Sequence, residues 1–293
     1  MSFTNRFQAN YYKHWKNSWR NLASQNSKIK DYLYSKERKE PLEFFSKKLI
    51  STSNDLEVME IIDDAFGVID ILHTAAREKG IKSTYEFNWH EDQINRRFVE
   101  SSATISRDHS FLCAGNCTIN DESYKVLTSE DFPSIKKLLS RINLKEDPSS
   151  IMYPLFLFNI ASNKEGSLFL ISRLKDFAFL TPLIDDLFWN VACLRLGVVD
   201  GLEQLLKGKF ELKFFKKDIR YHINFTYDNQ LIRNYFDRCI FEREWDLNKI
   251  KFMEGIILLN NPPSLISSPF KKLSYILSLQ LLQDSIYWKH FKS

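Results

Sequence analysis

Glycine and proline are scarce in this chain, with 8 of each in 293 residues. They are the residues that punctuate turns, so their shortage argues against a turn-dense all-β fold and for long helical elements. Cysteine is sparser still, limited to Cys113, Cys117, Cys193 and Cys239. The N-terminal residues lack the positive, apolar and small-residue succession of a secretory signal, so reduced thiols in the cytoplasm are expected rather than a disulfide framework. Cys113 and Cys117 have the spacing of half a metal site, but Cys193 and Cys239 lie singly in apolar helical contexts and supply no second pair. No metal is therefore expected. Long apolar runs are missing too: the best stretch, residues 177–199, is broken by Asp185, Asp186 and Arg195, which argues against a bilayer span. There is no Gly-x-Gly-x-x-Gly, no phosphate-loop lysine motif and no His-Glu-x-x-His. No local motif announces a cofactor or a catalytic centre.

Aromatic residues are abundant, and Phe alone contributes 24. The most ordered pattern is Phe3, Phe7, Tyr11, Trp15 and Trp19, five rings spaced four apart, with Arg6, Lys13, Lys16 and Arg20 among them. On a helix a step of four advances about 40°, so the rings form one drifting stripe between about 0° and 160° while the cations gather near 220° to 300°. Stacking on single-stranded nucleic acid needs rings and cations on one groove, and here they separate. The stripe therefore reads as an amphipathic helix whose apolar side packs on the protein's own core. Phe7, Tyr11, Trp15 and Trp19 are the candidate partner-binding residues if that side is instead open. Residues 1–50 hold 11 Lys+Arg against 4 Asp+Glu, and residues 51–80 hold 2 against 7. This adjacency damps any outward basic field.

Residues 55–79 predict the clearest helix, capped by Asn54 or Asp55 and carrying Val58, Ile61, Ile62, Ala65, Val68, Ile69 and Leu72 at helical spacing. Residues 84–127 mix helical and strand signals, with strands expected within 111–119 and 124–127. A helix over 128–144 follows, then a boundary at Asp147-Pro148-Ser149-Ser150. Residues 153–160, 168–179 and 182–196 predict three successive apolar helices. Strict alternation of Ile219, Tyr221, Ile223, Phe225 and Tyr227 with polar residues, preceded by Phe210, Leu212 and Phe214, predicts an antiparallel hairpin near 210–227. Residues 231–241 return to helical spacing, 256–259 suit a strand, and a final helix starts at Ser268-Pro269. The expected fold is mainly α, α+β at most: a helical bundle or stack with a small hairpin in the C-terminal half, in two regions, 1–147 and 148–293.

Three constellations bear on chemistry. Glu211-Leu212-Lys213 with Asp200 eleven residues earlier offers carboxylates and a lysine of the kind that hold Mg²⁺ and activate water against a phosphodiester, and it resembles the core of a nuclease superfamily. A Glu-x-Lys pair is also the ordinary decoration of a solvated strand, and no further acid completes the set. Asp70 and His73 with Glu60 and Asp64 resemble half of a di-metal bundle, but the required second half is missing and His73 falls beside Ile62 and Phe66. His90 and His109 adjoin Glu91, Asp92 and Asp108, yet neighbours on one element do not converge on a substrate. The chain is accordingly expected to be a soluble intracellular protein-interaction protein without its own catalysis, with a toxin-neutralising or defence role fitting that description. Two alternatives stand beside it. One is a nucleic-acid binder using Lys13, Lys16, Arg20, Lys28 and Lys30, or a Mg²⁺-dependent nuclease using Asp200, Glu211 and Lys213. The other is peripheral membrane attachment through the N-terminal aromatic face.

Overall fold

Three helices of this chain start where a short polar side chain, Asn54, Asp228 or Asp246, takes up the first free N–H groups. In the computed structural model, which describes residues 42–78, 115–127, 131, 149–151, 156–164, 168–170, 184–259 and 268–285, seven helices and nine short strands are formed. The helices are α1 (Phe45–Ser51), α2 (Asp55–Glu78), α3 (Leu187–Val198), α4 (Leu202–Leu206), α5 (Asn229–Glu242), α6 (Leu247–Leu259) and α7 (Ser268–Asp284). The strands are β1 (Glu43–Phe44), β2 (Asn116–Ile119), β3 (Glu122–Lys125), β4 (Ser149–Ile151), β5 (Ile160–Ser162), β6 (Leu168–Leu170), β7 (Ile184–Asp186), β8 (Phe210–Phe215) and β9 (Asp218–Ile223). The class is mainly α with a minority of strand. Among the described residues, no helix is long and apolar enough to cross a membrane. The chain gathers into two compact units, one drawn from residues 1–89 and 147–197 and the other from 90–146 and 198–293.

In the first unit, the Asn54 side chain accepts from the Leu56 N–H at 3.0 Å, and Asp55 and Glu57 lie in the first turn, where the helix dipole favours acids. The apolar positions predicted for α2 are buried, joined by Phe66, while Glu57, Glu60, Asp63 and Asp64 face solvent. α2 packs on β4, which pairs antiparallel with β7. A second, three-stranded sheet has the order β1-β5-β6, and the Lys48 ammonium of α1 donates to Ser162 Oγ of β5 at 2.8 Å. Among the described residues, the spans 153–160, 168–179 and 182–196 do not form three successive helices, and 152–155 and 171–183 lie outside the described residues. A 3₁₀ turn at Leu157–Asn159 leads into β5, β6 and β7 intervene, and the helix begins only at Leu187. Short apolar runs have no period that separates a buried strand from a buried helix, and β5 is buried at every position. α3 is buried all round, including Asn190 and Arg195.

The second unit is built on a mixed sheet of order β3-β2-β9-β8, in which β2 and β9 run parallel and the other neighbours antiparallel. Cys117, Ile119, Tyr124, Ile219, Tyr221 and Ile223 share its inner face by register. α7 covers that face through polar contacts. The Tyr221 hydroxyl donates to Gln280 at 2.7 Å, the Tyr275 hydroxyl to the Leu127 carbonyl at 2.8 Å, and Gln283 exchanges bonds of 3.0 and 2.7 Å with the Lys125 N–H and C=O. α6 approaches α7 closely, because a Cβ on Gly255 would lie 2.7 Å from Leu282 Cγ. Residues 256–259 are therefore the end of a helix, not a strand: Asp246 caps α6 by accepting from the Asn248 and Lys249 N–H groups, and Ile256 to Leu258 are buried along it. β8 and β9 are joined through Lys216, which adopts a positive φ of 57°.

Gly201 precedes α4 at φ 78°, and a Cβ there would stand 2.8 Å from Ile223 Cγ2 and 2.9 Å from Phe225 Cζ. Gly201→Ala adds backbone strain and overpacking together, and we expect a loss of about 2–4 kcal/mol in urea unfolding. Burial raises the phenol pKa values of Tyr124, Tyr221 and Tyr227 above their ordinary 10.0. The unfolded chain releases these protons first, so stability is full below about pH 10 and falls as pH rises beyond it. In an alkaline titration, three tyrosinate equivalents should appear only together with loss of the circular dichroism signal.

Candidate functional site

Strand alternation decides the fate of the Asp200, Glu211 and Lys213 set. β8 and β9 pair as Glu211↔His222, Leu212↔Tyr221 and Lys213↔Arg220, so Glu211 and Lys213 stand on the outer face and Tyr221 on the inner one. Glu211 and Lys213 are exposed and bonded to each other at 3.0 Å, and this bond holds the Glu211 carboxyl below its ordinary range. Asp200 is buried. Its Oδ1 accepts from the Arg233 guanidinium at 3.4 Å, and its charge reaches Tyr221 and Tyr227, helping burial to raise both phenols. The sheet thus lies between the pair and the aspartate, and the three side chains do not converge on one metal position.

The remaining sequence candidates are likewise dispersed. Cys117 is buried in β2 with its thiol raised by burial, and Cys193 and Cys239 are buried thiols on α3 and α5. On α2, Asp70 and His73 are half-buried while Glu60 and Asp64 are exposed. Among the described residues, no three His, Cys, Asp or Glu side chains cluster as metal ligands. Phe7, Tyr11, Trp15 and Trp19, the basic residues Lys13, Lys16, Arg20, Lys28 and Lys30, and Cys113, His90 and His109 lie outside the described residues.

A surface that sequence reading passed over stands out on α5. Asp228 caps this helix, accepting from the Gln230 and Leu231 N–H groups at 3.0 and 3.1 Å. Ile232, Phe236, Cys239 and Ile240 are buried. At 100° per residue they occupy an arc of about 100°, whereas Leu231, Asn234, Tyr235, Arg238, Phe241 and Glu242 share another of about 120°. On that outer arc Phe241 is 81 % exposed and Leu231 43 %. The Arg238 guanidinium lies 5.0 Å from the Tyr235 ring and 3.7 Å from Glu242, and the Arg243 guanidinium lies 5.6 Å from the Trp245 ring. Stacking limits the rotamers of these long side chains before any partner arrives, which lowers the entropy lost on binding. Leaving Phe241 in water forgoes roughly 1.5–3 kcal/mol of burial. Its sequence signal was available: Phe241 falls off the buried stripe that Ile232, Phe236 and Cys239 define.

Asp200→Ala leaves Arg233 without this partner at a part-buried position and should lower stability by about 2 kcal/mol in urea unfolding, whereas Glu211→Gln should leave the unfolding midpoint unchanged. Neither a protein-family model, a curated protein nor a solved structure matches the chain.

Proposed function

We propose that this chain is a non-catalytic protein-interaction protein that binds another protein through the outer face of α5, acting to block or scaffold that partner. A toxin-neutralising or defence role is one setting in which such binding would serve. The observation that carries the reading is Phe241, 81 % exposed on the same arc as Leu231, Tyr235 and Arg238. Aromatic and arginine side chains are the types that dominate binding energy at interfaces, and three aligned along a helix match the way a helix face meets a groove. The separation of Asp200 from Glu211 and Lys213 weighs against the nuclease alternative.

Site-specific photo-crosslinking from position 241 in cells tests the reading. A discrete protein partner should be captured, and its affinity for the purified chain should fall at least about tenfold with Phe241→Ser or Arg238→Ala while thermal stability is unchanged. Capture of RNA or DNA in its place, or an affinity indifferent to both substitutions, would sink the proposal.

A further inference from the structure

The two edges of the four-stranded sheet are treated differently. On β9, the Ile219 carbonyl accepts from the Asn120 N–H and the Lys217 carbonyl from the Thr118 N–H, so odd-numbered residues of β9 direct their backbone toward β2. Even-numbered residues then face β8, and through the pairs Glu211↔His222, Lys213↔Arg220 and Phe215↔Asp218 they engage alternate residues of that strand. Phe210 and Leu212 consequently direct their N–H and C=O groups away from the sheet, about 7 Å apart along the edge. Among the described residues, nothing bonds to them. At the opposite edge, by contrast, the Lys125 N–H and C=O are both taken by the Gln283 amide.

The chemistry around the open edge selects its occupant. Lys207, Lys209, Lys213 and Lys216 lie within residues 207–216 against a single carboxylate, Glu211, which Lys213 already bonds. Lysines on an edge repel an identical edge, so a second copy pairing β8 with β8 is disfavoured, while an anionic strand is attracted. Phe215 at the end of the strand is 58 % exposed and offers an apolar contact beside the charges. A polyanion without a peptide backbone could meet the lysines, but it could not use the paired donors and acceptors of Phe210 and Leu212.

We propose that β8 accepts an extended acidic segment of another protein as a fifth strand, with main-chain bonds at Phe210 and Leu212 and carboxylates set against Lys213 and Lys216. This surface is separate from the outer face of α5, and the proposal stands whether or not that face binds a partner.

The test uses the full chain and a synthetic peptide of alternating glutamate and valine, with a lysine–valine peptide and a single-stranded DNA oligonucleotide as comparisons. The acidic peptide should bind with a Kd of roughly 10–100 µM and the basic one at least about tenfold more weakly. Hydrogen exchange at Phe210 and Leu212 should slow at least about tenfold with the acidic peptide bound. Leu212→Pro removes an outward N–H without breaking the ladder to β9 and should abolish binding. Should that variant fail to fold, the combined Lys213→Glu and Lys216→Glu variant carries the test: it should lose the acidic peptide and gain the basic one. Phe241→Ser should leave peptide affinity unchanged. No binding at roughly 1 mM peptide, binding without protection at Phe210 and Leu212, or tighter binding of the oligonucleotide would each overturn the proposal.

Discussion

The seating of α7 on the four-stranded sheet is the constraint on which the second unit depends. An apolar helix laid on an apolar sheet can slide by a turn at modest cost, because dispersion and burial are not directional. Here the contact is pinned by directional bonds spread along the helix: Tyr275 to the Leu127 carbonyl, Gln280 from Tyr221, and Gln283 to both backbone groups of Lys125. Each bond fits only one register. The rest of α7 is free to be apolar, and Gly255 lets α6 come into contact with Leu282.

This arrangement spends the unit's interior polar groups on architecture. Asp200 is engaged by Arg233, Tyr227 donates to the Val198 carbonyl at 2.6 Å, and Gln204 donates to Tyr227. Groups that look chemically versatile in sequence are thereby fixed as connectors, each with its proton or charge committed to a neighbour. What remains for recognition is outside the core: a helix face on which arginine lies over tyrosine, and a strand edge set among lysines. Both use side chains whose burial would have added to stability, and both leave the core undisturbed.

The parts of this fold that could be read in advance are those determined locally. Asn54 and the apolar period of α2, and Ser268-Pro269 at the start of α7, each combine a start signal with at least three turns of pattern, and the helical spacing over 231–241 marks α5. Elements fixed by distant partners were opaque. β2 pairs in parallel with β9 a hundred residues away, and nothing within Asn116–Ile119 names that neighbour. Ile256 and Ile257 favour a strand by propensity, yet the cap at Asp246 and the packing on α7 override them. The candidate chemistry divided in the same way. The exposed Glu211–Lys213 pair was legible from alternation, whereas the burial of Asp200 beside Arg233 depends on where α5 lies against the chain that precedes it.

The Gln283 amide on Lys125 has a consequence for valency. A sheet with complementary free edges can propagate, since each added copy presents a new edge to the next, and this is the geometry of fibrils. With a side chain occupying the backbone of Lys125, the edge at β3 is closed at that residue, and Ser123, the other outward-facing residue of this four-residue strand, is too little to seat a further strand. Such a module is monovalent through its sheet: it takes one strand and stops, so any assembly built on that edge ends with the first partner bound.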